Sequence, residues 1–205
     1  MSIGIVDVGI GNLGSLKNAL HSQGWDCTFV SNSHNLAGLT HLILPGVGGF
    51  STAVKRLQDA DLFDSIIAFT KSGHPLMGIC LGMQLLADYG TEGGNKSGLS
   101  LISGEIIPIQ AQNLTLPHVG WNSVKHLRKH PIFEGIRNDV DFYFAHSYRF
   151  RNHYDEHLLS TTEYGESFPS VIGYENIIGV QFHPEKSQAN GLRFLDNFCL
   201  WDGKC

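Results

Sequence analysis

The chain lacks the features that mark several broad classes of protein. Only 16% of its 205 residues are charged, and the net charge of −5 comes with no basic stripe. This composition argues against binding to nucleic acid or to an anionic membrane surface. No uncharged apolar stretch approaches the roughly 20 residues that span a bilayer. The four cysteines form no C-x-x-C pair and no disulfide-framework spacing, so we expect free thiols and a cytoplasmic protein.

The first residues also lack the pattern of a secretory signal. Residues 1–7 contain neither a basic segment nor a long apolar one, so we expect no signal peptide. Internal repeats and low-complexity tracts are absent. What is present is a hydrophobic content of 42%, enough for a substantial core, and a length that favours one domain over residues 1–205.

The first half of the chain alternates short apolar runs with helical periodicity. Strand–loop–helix units in succession predict an α/β fold with an open, mostly parallel sheet flanked by helices. Beyond Tyr89 few helical periods separate the strand-like runs, which predicts added antiparallel strands in the C-terminal half, after a polar loop over 90–98. The predicted strands are 3–8, 27–30, 41–44, 76–79, 104–110, 116–124, 141–150, 157–164, 170–174 and 177–182, and the predicted helices are 15–23, 51–58, 62–72, 81–88 and 191–201.

A cysteine stands where one predicted strand turns into a helix. Residues 76–79 are apolar, Cys80 follows, and helical spacing begins at Leu81. Gly78 and Gly82 flank Cys80 with the spacing of a nucleophile elbow, a strained turn with no room for neighbouring β-carbons. A helix N-terminus favours the thiolate, and the Leu81 N–H can point at an oxyanion. A buried structural cysteine in a glycine-rich chain can show the same spacing by chance, so the motif needs support from elsewhere.

Two glycine-rich loops also follow strands. Residues 9–14 spell G-x-G-x-x-G, but the next strand does not end in the acidic residue that a dinucleotide site needs. We therefore expect a tight loop at the edge of a cleft. Residues 45–50 hold three glycines after a strand, a pattern that can direct backbone amides at an anion. Ser51 is the expected N-cap of the helix that follows.

A histidine and a glutamate follow the last predicted strand. Because the carboxyl ends of parallel strands share one edge of a sheet, we expect His183 and Glu185 near Cys80. A cysteine nucleophile needs a base to accept its proton, and the base needs a partner that holds its tautomer. His183 and Glu185 supply both roles. The alternative is a histidine and an acid that merely share a surface loop.

Metal-binding patterns are incomplete. A zinc deaminase would need a downstream P-C-x-x-C, and a zincin would need H-E-x-x-H, and the sequence contains neither. His126 and His130 have a spacing that can bind a metal, but no further ligand pattern accompanies them. We expect no metal site.

Three stretches together resemble the class I, or triad, glutamine amidotransferase family: residues 45–50, 78–84 and 181–185. The resemblance covers essentially the whole chain. It implies that Cys80 attacks the side-chain amide of glutamine. It also implies that His183, oriented by Glu185, acts first as base and then as acid to release ammonia. Water would hydrolyse the resulting γ-glutamyl thioester.

The same resemblance assigns the residues around the triad. The backbone N–H groups of Gly48 and Leu81 are implied to form the oxyanion hole. Gln84 matches a position that helps to hold glutamine, and His146, Ser147 and Tyr148 are implied to line the glutamine site. No cofactor is implied.

Four stretches of the sequence resemble one subgroup of this family more specifically, namely the glutaminase subunits of imidazole glycerol phosphate synthases, which act in histidine biosynthesis. These stretches are residues 7–13, 117–122, 143–148 and 179–187. This implies a heterodimer with a (β/α)8-barrel cyclase that receives ammonia through a protected channel. Because free ammonia is mostly protonated and diffuses away, we expect low activity alone and stimulation by the partner.

Three alternatives stay open. A related subunit with the same triad could feed a sugar-modifying synthase in surface-polysaccharide synthesis. A catalytically silent regulatory subunit is disfavoured by the intact Cys80, His183 and Glu185. A stand-alone hydrolase of γ-glutamyl peptides, or a cysteine peptidase on a related fold, would need no partner.

Overall fold

The structure is a computed structural model, and it describes residues 1–204. The strands in this range are β1 (Ile3–Val6), β2 (Cys27–Val30), β3 (His41–Gly46), β4 (Leu76–Cys80), β5 (Tyr89–Gly90), β6 (Lys96–Ser97), β7 (Gly104–Pro108), β8 (His118–His126), β9 (Val140–His146), β10 (Tyr148–Asn152), β11 (Leu158–Glu163), β12 (Ser167–Tyr174) and β13 (Ile177–Val180). The α-helices are α1 (Leu13–Ser22), α2 (Phe50–Asp59), α3 (Phe63–Lys71), α4 (Leu81–Leu85) and α5 (Gln188–Leu200).

Nine strands form one sheet in the order β2-β1-β3-β4-β13-β12-β11-β8-β9. The pairings from β2 to β13 are parallel, and those from β13 to β9 are antiparallel. A smaller sheet has the order β10-β7-β5-β6. The predicted α/β class, with a parallel core and antiparallel strands added in the C-terminal half, is confirmed.

Two hydrophobic cores lie on opposite faces of the large sheet because its central strands carry apolar side chains on both sides. Ile3 and Ile5 pack with α1 and α5, whereas Val6 packs with α2 and α3. Phe150 of the smaller sheet joins the second core. Burying each such side chain stabilises the fold by about 1.5–3 kcal/mol before entropy is counted.

Three adjacent parallel strands end at the same level. Gly46 at the end of β3 is in register with Cys80 at the end of β4, and Val180 at the end of β13 is in register with Ile79. The loop after β3, the turn after β4 and the segment after β13 therefore emerge side by side. This edge is where open α/β sheets bind ligands.

The prediction of one strand over 141–150 is wrong, because this stretch is two strands in different sheets. β9 pairs with β8, whereas β10 pairs with β7. The chain bends between them at Ser147, and the His146 ring spans the bend by donating from Nδ1 to the Tyr148 carbonyl oxygen, 2.8 Å away. Apolar spacing contains no information about such a side-chain contact.

Three other predictions are wrong. Ser51 does not cap α2, which begins at Phe50, because the Glu92 carboxylate accepts the Phe50 N–H at 2.9 Å. α4 ends at Leu85 and does not reach residue 88, because residues 98–102 cross its end and donate to the carbonyl oxygens of residues 85–88. The predicted loop over 90–98 pairs with itself through the short strands β5 and β6. The ends of the other predicted elements differ by up to three residues.

Candidate active site

Cys80 occupies a strained turn between β4 and α4. Its φ of +54° lies in the left-handed region, which residues other than glycine rarely adopt. A β-carbon on Gly78 would lie 2.6 Å from the Gly82 carbonyl oxygen, and one on Gly82 would overlap the carbonyl oxygen of Leu44. The two flanking glycines are therefore required by close approach of the backbone, as the spacing of the motif predicts.

His183 follows β13, and its ring lies between Glu185 and Cys80. Its Nδ1 is 2.9 Å from Glu185 Oε1, and Cys80 lies close enough to influence the pKa of the ring. The His183 backbone is held on both sides, because its N–H donates to the Tyr143 carbonyl oxygen at 2.8 Å and its carbonyl oxygen accepts from Ser187 Oγ at 2.6 Å. His183 is only 3% exposed, so the orientation of its ring is set by protein contacts and not by solvent.

The protonation state of His183 follows from these neighbours. Burial by itself lowers the pKa of His183. The electrostatic interactions with Cys80 and Glu185, the latter including a hydrogen bond to Nδ1, outweigh burial and raise the pKa of His183 to about 10. His183 therefore carries a proton at neutral pH in this arrangement.

A cavity of about 360 Å³ opens beside Cys80. A larger cavity of about 870 Å³ lies elsewhere and contains none of the predicted triad, so size alone does not identify the site. Seven residues predicted from the sequence line the smaller cavity: Gly48, Cys80, Leu81, Gln84, His146, Ser147 and Tyr148. His183 and Glu185 lie outside its lining and border a separate, much smaller cavity.

Two buried glutamines form a chain of hydrogen bonds that ends at the sulfur. Gln84 Nε2 donates to the Tyr148 carbonyl oxygen and to Gln181 Oε1, both at 3.1 Å. Gln181 Nε2 in turn donates to Cys80 Sγ at 3.7 Å. No role was predicted for Gln181, although a polar residue within a predicted buried strand must find a hydrogen-bond partner, and this requirement is the signal in the sequence that could have identified it.

Two neutral histidines extend the network away from the site. Because His146 Nδ1 donates to the Tyr148 carbonyl oxygen, its Nε2 must accept, and it does so from His118 Nδ1 at 3.1 Å. Burial lowers the pKa of His118 to about 4. Burial, with further lowering by His118 and His183, brings the pKa of His146 to about 3 against an opposing hydrogen bond to Tyr148. Sequence reasoning missed His118, whose role depends on the pairing of β8 with β9.

Glu92 also lines the cavity beside Cys80. One carboxylate oxygen accepts the Phe50 N–H, and the Glu92 carbonyl oxygen accepts from Ser51 Oγ at 2.8 Å. Glu92 thus connects the 90–98 segment to the start of α2, next to the glycine-rich loop. Nothing in the sequence around Glu92 distinguishes it from a solvent-exposed acid in a polar loop, so no local signal could have found it.

The described residues show no features of a metal site or of a membrane-spanning helix. Among residues 1–204 no group of three His, Cys, Asp or Glu side chains is arranged to hold a metal ion. Within that range no helix has the length and apolarity needed to cross a membrane. Cys27, Cys80 and Cys199 are free thiols, and Cys205 lies outside the described residues.

One family of proteins matches nearly the whole length of the chain. The family model of class-I glutamine amidotransferases matches residues 4–201. The solved structure of PurLQS from Thermotoga maritima superposes with a TM-score of 0.76 at 16% identity, covering 97% of each chain, which shows the same fold. The chain therefore belongs to the class-I glutamine amidotransferase family, and it is an enzyme.

Relatives within this family are more specific. The chain is 42% identical to "Imidazole glycerol phosphate synthase subunit HisH" of Symbiobacterium thermophilum, covering 95% of this chain and 91% of that protein. It is 40% identical to the protein of the same name from Aquifex aeolicus, covering 95% and 94%. The chain is a member of this group of HisH subunits.

Proposed function

We propose that the chain hydrolyses the side-chain amide of glutamine and delivers the ammonia to a synthase subunit. The observation that carries the proposal is the hydrogen-bonded pair Glu185–His183 beside Cys80, which occupies a strained strand-to-helix turn. This arrangement supplies a nucleophile, a base and a group that orients the base, which amide hydrolysis requires. We propose that residues 1–205 form one amidotransferase domain.

In the first half of the reaction, the proton of Cys80 Sγ resides on His183, and the thiolate attacks the amide carbon of glutamine. The C–S bond forms while the carbonyl π electrons move to oxygen. The resulting tetrahedral intermediate then expels nitrogen, and His183 gives its proton to that nitrogen. Ammonia leaves, and a γ-glutamyl thioester remains on Cys80.

In the second half, water replaces the thiolate. His183, now neutral, takes a proton from water as the oxygen attacks the thioester carbon. Collapse of the second intermediate breaks the C–S bond, glutamate leaves, and the triad regains its thiolate and its protonated histidine. Glu185 keeps the proton on Nδ1 throughout, so that Nε2 handles every transfer.

The negative charge on the intermediates needs preorganised donors. We assign this role to the backbone N–H groups of Leu81, at the start of α4, and of Gly48, both of which line the cavity. We assign the recognition of the substrate's α-ammonium group to the Glu92 carboxylate, the acidic side chain in that lining. Gln84, His146, Ser147 and Tyr148 form the rest of the glutamine site.

The names of the relatives support the second half of the proposal. They are subunits of imidazole glycerol phosphate synthase. We therefore propose that the acceptor of ammonia is a (β/α)8-barrel cyclase, bound as a heterodimer, and that ammonia passes to it through a protected channel. The role in histidine biosynthesis implies a cytoplasmic enzyme.

An exposed apolar patch adjoins the triad and is the surface we assign to this partner. Val119 and Trp121 alternate on the outer face of β8 and are 57% and 47% exposed. Trp121 stacks edge-on against Tyr143, with ring centroids 6.1 Å apart, and Tyr143 also holds the His183 backbone. Exposed aromatic side chains of this kind are enriched at protein interfaces.

The test is glutamine hydrolysis by the purified chain, alone and with its cognate cyclase carrying the cyclase's nucleotide ligand. We expect slow hydrolysis alone, stimulation by the cyclase, and no activity in Cys80→Ala under either condition. Activity that survives in Cys80→Ala would reject the triad. Activity that depends on Cys80 but ignores the cyclase would reject the partner, and a polysaccharide-pathway synthase would be tested next.

A further inference from the structure

We infer that Gln181 is a positioning residue that holds the sulfur of Cys80 in its attacking form, with Gln84 fixing the orientation of the Gln181 amide. This inference deepens the proposed function and rests on it. Gln181 does not line the cavity where the substrate would bind, so it would act only through the nucleophile.

Two hydrogen-bonding neighbours of the Cys80 sulfur, besides the His183 ring, suit different protonation states of the thiol. As a thiol, Cys80 can donate to the Ala145 carbonyl oxygen, 3.9 Å from Sγ. A thiolate has no proton to donate, and the carbonyl oxygen then faces a negative charge. Gln181 Nε2 lies 3.7 Å from Sγ and is oriented to donate a hydrogen bond to the sulfur. A hydrogen bond to a charged acceptor is stronger than one to a neutral acceptor. Formation of the thiolate therefore strengthens the Gln181 contact as it removes the Ala145 contact.

The Gln181 amide has one orientation in this network. Its Oε1 accepts from Gln84 Nε2, so its Nε2 must face the sulfur. A rotated amide would put its oxygen against the thiolate and its nitrogen against the nitrogen of Gln84. Gln84 cannot rotate in compensation, because the same nitrogen also donates to the Tyr148 carbonyl oxygen.

Burial makes this orientation consequential. Gln181 is fully buried and Gln84 is 4% exposed, so water does not compete for these contacts. Inside the protein an unsatisfied donor or acceptor is costly, and the chain of contacts is correspondingly well defined. The network continues through Tyr148 to the neutral histidine His146, which donates to the same carbonyl oxygen.

The test measures the reactivity of Cys80 without any substrate. Gln181→Met keeps the length and bulk of the side chain but removes the donor. We expect the rate of alkylation of Cys80 by iodoacetamide at neutral pH to fall about tenfold. Mass spectrometry of the peptide that contains Cys80 measures this rate. We expect kcat for glutamine to fall by a similar factor while KM stays within about twofold.

A double-mutant cycle tests the part played by Gln84. Gln84→Met should slow alkylation less than Gln181→Met, because the donor remains but is no longer held in place. The double variant should match Gln181→Met, because Gln84 acts on the sulfur through Gln181. Additive losses would reject this order.

Ser160→Ala is the matched control. Ser160 is fully buried on β11, which two strands separate from β4 and Cys80, and its Oγ lies 2.9 Å from Ser170 Oγ. This variant should lower the Tm and leave the alkylation rate unchanged. A folded Gln181→Met protein with the wild-type alkylation rate would overturn the inference. If the wild type fails to hydrolyse glutamine but its alkylation still depends on Gln181, the proposed substrate fails and the inference about the sulfur stands.

Discussion

The Nδ1 atom of His183 lies 2.9 Å from Oε1 of Glu185, and this contact fixes which ring nitrogen carries the hydrogen in the neutral imidazole. An ionised carboxylate can only accept a hydrogen bond, so Nδ1 must carry a hydrogen. Nε2 is then free to exchange a proton with the sulfur. The pair is almost completely shielded, with side chains 4% and 6% exposed.

Replacing Glu185 by glutamine should remove this control. The amide of Glu185→Gln can accept or donate, so His183 loses its fixed tautomer and its negatively charged partner. We expect kcat for glutamine hydrolysis in the presence of the synthase subunit to fall by about 10³-fold, with little change in KM. Circular dichroism should show an intact fold. Wild-type turnover in a folded Glu185→Gln protein would exclude Glu185 from the triad.

The protonation of His183 should appear in the pH dependence of stability. Because the folded state raises the pKa of His183 from 6.5 to about 10, it binds this proton more tightly than the unfolded chain does. The stabilisation is full below about pH 6.5 and is lost as the pH rises through about 10. Urea unfolding across this range should report the loss, and NMR of the His183 ring should report the proton.

Two variants separate His183 from other titrating groups. In Cys80→Ala the sulfur no longer helps to raise the pKa of His183, so its NMR titration should move to lower pH. His183→Asn should show a smaller loss of stability over the same pH range. An unchanged His183 titration in Cys80→Ala would contradict the described contact between the two side chains.

The elbow glycine Gly82 should be intolerant of any side chain. An added β-carbon would overlap the Leu44 carbonyl oxygen on the neighbouring strand, and backbone cannot move aside cheaply. We expect Gly82→Ala to lower the free energy of unfolding by about 3 kcal/mol or more. Gly14→Ala is the control, because nothing lies within 4 Å of the added carbon and its position in α1 is helical. That change should be neutral or stabilising by up to about 1 kcal/mol.

Glu92→Gln tests the assignment of the ammonium site. The glutamine side chain can still accept the Phe50 N–H, so the start of α2 is preserved while the charge is lost. We expect KM for glutamine to rise about tenfold with kcat nearly unchanged. Glutaramate, which lacks the α-ammonium group, should be hydrolysed equally by wild type and variant. An equal rise in KM for both substrates would exclude a charge contact with that group.

Trp121→Ala tests the patch assigned to the synthase subunit. Truncation of an exposed aromatic anchor should weaken the heterodimer by about 2 kcal/mol, or roughly 30-fold in Kd, without changing glutamine hydrolysis by the isolated chain. Phe29→Ala is the control, because Phe29 is 41% exposed on β2, at the opposite edge of the large sheet. Isothermal titration calorimetry gives both values. Equal affinities of the Trp121 and Phe29 variants would place the interface elsewhere.

Much of the fold and of the strained turn at Cys80 could be predicted from local sequence. Apolar runs and helical periods identify β4, α5 and most of the elements between them, because burial on both faces of a parallel strand leaves a continuous hydrophobic signature. The spacing of Gly78, Cys80 and Gly82 predicts the elbow, because only glycine permits such close backbone approach. Because the carboxyl ends of parallel strands share one edge of a sheet, the sequence also predicts that His183 lies in the same region.

Contacts between distant segments were decided only by the tertiary structure. The orientation of Gln181 depends on Gln84, 97 positions earlier in the chain, and the pairing of His118 with His146 depends on the register of β8 and β9. The first N–H of α2, on Phe50, is likewise satisfied by a residue distant in sequence, Glu92, and not by the predicted cap Ser51. Hydrophobic periodicity reports which face of an element is buried, whereas a hydrogen bond depends on which polar atoms meet across that buried face, and chain folding alone brings them together.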